Sequence, residues 1–519
     1  MRLPSIVIVF GLVVILYTET MSQSTFNRRY DTGGVGFFQN CLSVEEADSS
    51  RYMIFGATEW VYDLDTITLY AYSVIVTYLL DSTGNVLNEF LQTDTTQVEY
   101  VGWTNSASRL NNGNYMLGGS SAFDSTQAPV LFFYDANGVL IDEFDYVILG
   151  EEWIGRQARE CSNGDLVICG DHGVGVNSNG FIMRTDNTGV QQWVQSYPGG
   201  GLDGLITIDT CSNGFFSGGQ HRFFGQDINF WLMRTDDFGS VIWDTIWGSG
   251  FDEPNAHVTT LANGNALVAS SWAYAPNYGQ MRPYLAEVSY ADGSFIWEQQ
   301  YDEPSFNTTL YSAKEIEPGG DLIAVGQSYV DVSARGILLR TTNGGDSLWM
   351  RYYEYSDSLW NAGRGFLFDV IQTYDNGFLA VGTALGLSND PNDPPLAYSQ
   401  DIWVVKVDSM GCLLPGCHIV TGIESQVTNY KDALKVWPNP STSGGQVQLT
   451  WELPEAARSK STELSLVSTT GQLMFSQPID LAQESIQLDV HDLKPGMYFI
   501  HLVQEGTWIS GAKLLCLPK

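Results

Sequence analysis

The sequence is poor in charge, and poorest in positive charge. Only 16% of its 519 residues are charged, and 24 Lys+Arg stand against 59 Asp+Glu, for a formal net charge of -35. A chain this acidic repels phosphate backbones and anionic membrane surfaces, which excludes nucleic-acid binding. Long apolar runs are also missing. The stretch Ile6 to Tyr17 is twelve residues, well short of the roughly 20 that a spanning helix needs. It follows Met1 and Arg2 and leads into small polar residues around Ser22, so residues 1–22 are expected to be a signal peptide and the mature protein to have no membrane span. The motifs HExxH, CxxC and GxSxG are absent, so zinc hydrolysis and a serine nucleophile elbow have no support. GGGLDG, from Gly199 to Gly204, matches a dinucleotide fingerprint by letters only, because no helix follows it.

What is present is core and turn material: 44% hydrophobic residues, 53 Gly, 26 Tyr and 15 Trp. Lining the middle of the chain against itself shows one hairpin signal repeatedly, in NNGNYMLGG at Asn111, SNGDLVICG at Ser162, SNGFFSGG at Ser212, ANGNALVAS at Ala262, PGGDLIAVG at Pro318 and DNGFLAVG at Asp375, with a degenerate copy at Ala47. Asn and Gly tolerate the positive φ that tight hairpins require. A second hairpin follows each first one, and its turn glycines, Gly84, Gly138, Gly189, Gly239, Gly293, Gly345 and Gly411, are spaced by 54, 51, 50, 54, 52 and 66 residues. Two hairpins make four strands in about fifty residues, the period of a propeller blade. The expected fold is therefore all-β, a seven-bladed β-propeller over residues 23–418. Its last copy lacks a fourth strand. STFNRRYDTGG, near Phe26 to Gly34, is similar to the fourth strand WVQSYPGGG at Trp193, so the N-terminal strand is expected to close the last blade and leave no open edge.

Residues 419–435 turn polar and pattern-poor, as a linker does, and residues 436–519 then alternate apolar and polar residues between Gly and Pro, as a small β-sandwich does. VWPNP at Val436 to Pro440, the turn at Gly471 and LKPGMYFI at Leu493 to Ile500 resemble the C-terminal sorting domain of type IX secretion cargo. Pro438, Asn439, Pro440, Gly471, Gly496 and Tyr498 carry that resemblance. It implies the type IX machinery as partner, and a destination outside a Gram-negative cell, either released or attached to its outer surface.

Candidate chemistry lies in the longer connections between repeats, which are rich in Trp, Tyr and acids. Trp247, Asp252, Glu253, Trp272, Tyr274, Tyr278, Asp302, Glu303 and Trp360 are the candidate ligand-binding residues, since aromatic faces stack on sugars and carboxylates accept hydroxyl or amine hydrogen bonds. Carboxylate pairs such as Glu151 with Glu152, Asp252 with Glu253, and Asp302 with Glu303 also suit the acid and base of a glycosidase, or Ca²⁺. Otherwise no cofactor or metal is expected. The Asp-x-x-Gly turns resemble the Asp-box of sialidase propellers, but with a Gly189-to-Trp193 spacing one residue too long. Arg184, Arg234, Arg340 and Lys406 recur at one place in four repeats and are expected to be structural; His172, His221 and His257 are expected to be surface groups rather than metal ligands. Cys412 and Cys417, in GCLLPGC, are the expected disulfide, because Pro-Gly turns the chain between them. The functional expectation is a secreted binding or adhesion module for a glycan or peptide, favoured over an enzyme. A secreted hydrolase acting through acids of the long-loop rim is the alternative, and a structural surface component a third reading.

Overall fold

The structure is a computed structural model that describes residues 23–518 apart from 32–38, 64–68, 93–97, 124–125, 149–150, 174–177, 200, 224, 277–279, 302–306, 318, 331–332, 356–359, 389–397, 415–416, 418–432, 443–444, 454–461, 470–471, 482, 484 and 505–506. Among the described residues there are strands and no α-helix, and no helix long and apolar enough to cross a membrane. Two compact units are present, one of them Ser24–Leu414 and the other carrying Pro415–Lys519. The expected signal peptide, most of the expected linker and Gly471 lie outside the described residues.

In the larger unit, strands pair antiparallel with their neighbours in the chain. Gln39–Asp48, Arg51–Asp63, Leu69–Asp81 and Val86–Leu91 form a first sheet, residues 98–145 a five-stranded second, Trp153–Tyr197 a third and Gly204–Trp247 a fourth. The groups that begin at His257, Asn307 and Trp360 belong to one twelve-stranded sheet. Single parallel bridges, Met281 to Asn307 and Ala334 to Arg364, join them. Hydrogen bonding thus merges three repeats that the sequence pattern separates. Phe26–Tyr30 pairs antiparallel with Tyr398–Val407, Phe26 opposite Lys406 and Tyr30 opposite Ile402. The seventh repeat therefore takes its fourth strand from the start of the chain.

The turns follow their residue chemistry. All seven second-hairpin glycines hold φ between 73° and 87°, the left-handed region that costs glycine least. The Asp that opens such a turn accepts two backbone N–H groups; Asp186 takes those of Thr188 at 2.9 Å and Val190 at 3.0 Å. One tyrosine contact then ties repeat to repeat. Tyr146, Tyr197, Tyr301 and Tyr353, near the end of a repeat, donate to the carbonyls of Gly189, Gly239, Gly345 and Gly411 in the next repeat, at 2.7–3.1 Å. Tyr30 makes the same bond to Gly84 at 2.7 Å, joining the seventh repeat to the first. Apolar side chains of adjacent repeats share cores; Ile54, Val76 and Tyr78 of the first pack with Leu379, Val381 and Val404 of the seventh. The recurrent cations join this framework. Arg184 bonds Asp165 and the carbonyl of Asp237, Arg340 bonds Asp321 and the carbonyl of Ser409, Arg234 lies 3.6 Å from the Tyr290 ring centroid, and Lys406 bonds Asp375.

In the smaller unit, a three-stranded sheet (Leu434–Trp437, Gln446–Trp451, Ser485–Asp489) and a five-stranded sheet ending in Gly496–Gln504 and Thr507–Leu517 share one core. Val447, Leu449 and Trp451 of the first meet Leu464, Ile500 and Leu514 of the second. Pro438 and Pro440 each follow a cis peptide bond. Between them, Asn439 donates to the Lys513 carbonyl at 2.7 Å and accepts the Leu515 N–H at 2.9 Å, so the entry segment is clamped to the last strand. Tyr498 is buried with its hydroxyl on the Lys494 carbonyl, and Gly496 is extended within its strand. Cys412 and Cys417 are disulfide-bonded, while Cys41, Cys161, Cys169, Cys211 and Cys516 are free thiols.

Candidate functional site

The first strands of five repeats carry the same irregularity, one extra residue that shifts the register: Leu42, Arg156, Ile206, Tyr311 and Phe368. A bulge re-aims the side chains on either side of it. The residue that follows each bulge reaches sideways into a neighbouring repeat. Ser43 accepts the Ala107 N–H, Gln157 the Ile208 N–H, Thr207 the Val258 N–H, and Asp369 the Val44 N–H, at 2.7–3.1 Å. Three residues beyond the bulges stand Glu45, Arg159, Asp209, Lys314 and Ile371. Four of these five are charged.

They converge. Lys314 lies 2.9 Å from Asp369, whose side chain is fully buried, and Arg159 lies 3.9 Å from Asp209; Lys314, Arg159 and Asp209 keep 21%, 13% and 20% of their side chains exposed. Asp369 is saturated by Ser312, Lys314 and the N–H groups of Val44 and Val370. Glu45 sits among them in a recess, surrounded by protein yet still touched by solvent. Burial pushes its carboxyl up to about 7; Lys314 opposes that shift, Asp369 adds to it, and Arg159 and Arg109 oppose it. A carboxyl that titrates near neutrality, in the field of a lysine and two arginines, one of which faces a part-exposed carboxylate, is an arrangement that can do acid–base chemistry.

Nearer the start of the same strands the recess turns aromatic and closes. Thr104, in the second repeat, donates to the Tyr311 carbonyl of the sixth at 3.1 Å and lies 3.4 Å from Nδ1 of His257 in the fifth. Tyr311 packs on Phe368 with centroids 5.2 Å apart, and Phe368 on Phe366 at 6.4 Å. Burial drives His257 down to about 3, so it stays neutral.

The long-connection residues are placed differently. Glu253 is buried with its oxygens on the N–H groups of Ser249 and Ala273, and Asp252 accepts the Ile228 N–H. Trp247 and Trp272 pack around Phe230 and Tyr284. Tyr274 is exposed, with the Arg282 guanidinium 4.6 Å from its ring centroid and its hydroxyl on Gln300. Glu151 accepts the Trp153 indole N–H at 3.0 Å. Tyr278, Asp302 and Glu303, and the side chain of Trp360, lie outside the described residues. His172 stacks on Trp153 and bonds Ser196 at 2.5 Å, whereas His221 is buried 2.6 Å from Asp203. No group of three or more His, Cys, Asp or Glu is placed to hold a metal among the described residues. A cavity of about 400 Å³ lies between the sixth and seventh repeats, but Arg340 in its wall is already committed to Asp321 and Ser409.

Residues 435–515 match the family described as a secretion system C-terminal sorting domain. No curated relative matches the chain. Among solved structures the chain is similar to puromycin hydrolase (12% identity, TM-score 0.41, 80% of this chain and 59% of that one). It is similar to sucrose-6-phosphate hydrolase of Lactobacillus gasseri (12%, 0.32, 75% and 94%) and to the GH32 β-fructofuranosidase of Bombyx mori (11%, 0.31, 96% and 90%). The expectation that set an enzyme second is corrected by this finding, since sugar-cleaving enzymes and a levansucrase stand among the similar structures. At these scores the likenesses carry no argument about substrate. The sorting domain settles the address: the chain is an all-β cargo of the type IX route, secreted or attached to the outer surface of a Gram-negative cell.

Proposed function

We propose that the larger unit is a seven-bladed β-propeller and that its central charged recess is the reacting centre of a secreted glycoside hydrolase. The carrying observation is the environment of Glu45, a carboxyl raised to about 7 by burial in the field of Lys314, which is paired with Asp369, and of Arg159, which faces Asp209. Glycoside hydrolysis needs one carboxyl that keeps its proton at neutral pH and a second that does not. Glu45 gives its proton to the leaving oxygen. Asp209, part-exposed although its oxygens also accept the N–H groups of Thr210 and Thr260, takes a proton from the attacking water, while the fully buried Asp369 holds Lys314 in place.

A panel of nitrophenyl glycosides, incubated with the full chain, tests the reading. At least one should be cleaved, with kcat/KM falling as pH rises through about 7 because the acid must be protonated. Glu45→Gln should lower that activity about 10²-fold or more. No turnover across the panel, or turnover unchanged in Glu45→Gln, would remove the proposal.

A further inference from the structure

The second repeat breaks its first strand where five of the others carry a single extra residue. Between Val98–Val101 and Ala107–Arg109 the chain leaves the sheet for residues 102–106. Gly102 opens this excursion, at a place where a Cβ would strike the carbonyl oxygens of Arg156 and Gly118. Asn105 holds φ at 56°, a left-handed conformation that Asn tolerates better than most residues. The base stays anchored in its own repeat, since Gly102 donates to the Gly118 carbonyl and Gly118 to that of Ser106.

The tip bonds to four other repeats. Asn105 donates its N–H to the Leu42 carbonyl of the first at 2.8 Å, and Trp103 donates to the Arg156 carbonyl of the third at 2.7 Å. The Gln157 amide, also in the third, donates to the carbonyls of Thr104 and Asn105 at 3.1 and 2.7 Å, and Arg159 donates to that of Asn105 at 3.0 Å. Thr104 reaches His257 of the fifth and the Tyr311 carbonyl of the sixth. So short a segment can touch the first strands of all these repeats only where the strands converge. Residues 102–106 therefore lie across the centre of the larger unit, and Thr104 and Ser106 are buried there.

Solvent stops just short of that segment. Residues i and i+2 of a strand share a face, so Ser43 points with Glu45, Gln157 with Arg159, Thr207 with Asp209, and Ser312 with Lys314. The second member of each pair is part-exposed, and the first is buried. These buried side chains bond across the repeats and make a floor, which residues 102–106 back through the adjoining Leu42, Arg156 and Tyr311. In the other direction the strands end at Asp48, Glu160, Cys211 and Glu315, within three residues of the charged side chains. The recess opens at that end.

We infer that the charged recess is a blind pocket, and that the enzyme removes the terminal sugar from the non-reducing end of a glycan rather than cutting within the chain. This rests on the hydrolase reading. The floor lies two strand residues below Glu45, about 7 Å, which leaves room for a ring on one side of the scissile bond and no exit for a continuing chain. The leaving oxygen, protonated by Glu45, departs through the mouth. The ring inside is thus the one whose anomeric carbon is attacked: water adds there as Asp209 takes its proton, the glycosidic C–O bond breaks, and a free sugar and a shortened chain result.

The test uses the full chain and the sugar whose nitrophenyl glycoside it cleaves. A linear hexasaccharide of that sugar, and the same hexasaccharide capped by a benzylidene acetal on its non-reducing ring, are digested and followed by chromatography with mass detection. The free monosaccharide and the pentasaccharide should be the first products, and the capped chain, whose end ring is too large to enter, should react at least about tenfold more slowly. Early products of intermediate length, or a capped chain cleaved nearly as fast as the free one, would overturn the inference and leave the hydrolase reading standing. An intact hexasaccharide beside a cleaved nitrophenyl glycoside would also overturn it. If no nitrophenyl glycoside is cleaved, the hydrolase reading fails and this inference falls with it.

Discussion

At the scale of single residues, Glu45 links the recess to stability. Folding raises its carboxyl from 4.5 to about 7, so between those values the folded state binds the proton more tightly than the unfolded one. Stability contributed by this group is therefore lost as pH rises through that window. Urea titrations of the parent and Glu45→Gln should diverge, with the variant gaining on the parent from pH 5 to pH 8. Parallel curves across that range would mean the carboxyl is not shifted. Tyr30→Phe removes one of the two donors, with Arg28, to the Gly84 carbonyl, and should cost about 0.5–1.5 kcal/mol by denaturant unfolding. Burial raises the pKa of Tyr30 and of its four counterparts, so this bond persists across the ordinary pH range. The charged recess was poorly legible in the sequence. Glu45, Arg159, Asp209 and Lys314 stand some fifty residues or more apart, and no local spacing marks them. The usable signal is their common place, four residues ahead of Ser49, Asn163, Asn213 and Pro318 at the following turns.

At the scale of elements, the strand Phe26–Tyr30 does more than fill an edge. Arg28 bonds the Gly84 carbonyl, Asn27 accepts the Trp403 indole N–H, Thr25 bonds the Leu413 carbonyl, and Arg29 pairs with Asp401. Removing Ser24–Asp31 would expose two sheet edges, and calorimetry should show the whole larger unit melting lower in one transition. A small separate transition with the main one unmoved would show that the strand merely decorates the unit. Gly84 is the partner position: φ is 81° and a Cβ there would meet the Phe26 ring at 2.8 Å. Gly84→Ala should therefore destabilise more than an ordinary turn substitution. These strands and turns were legible because Gly, Asn and Asp mark turns through their own backbone preferences. Trp247 and Trp272 illustrate the opposite case. An aromatic in a connection reads the same whether it faces solvent or packs, as these do, on Phe230 and Tyr284.

At the scale of the whole molecule, the address belongs to the smaller unit, and the proposed reacting centre to the larger. A chain ending after Cys417 lacks the sorting domain at 435–515 and should accumulate in the periplasm with its larger unit folded, as cell fractionation and protease resistance would show. Equal amounts of truncated and full-length protein in the medium would defeat the assignment. The pairing of Phe26–Tyr30 with Tyr398–Val407 has a further consequence, in time rather than in space. The two strands are separated by about 380 residues of chain, which a ribosome takes roughly 20 to 75 s to make. The strand Phe26–Tyr30 waits through that interval for its partner, so no shorter nascent product can satisfy it. The sorting domain is made later still. The last strand that the larger unit needs thus precedes the finished export tag by about 110 residues of chain, roughly 5 to 20 s of synthesis.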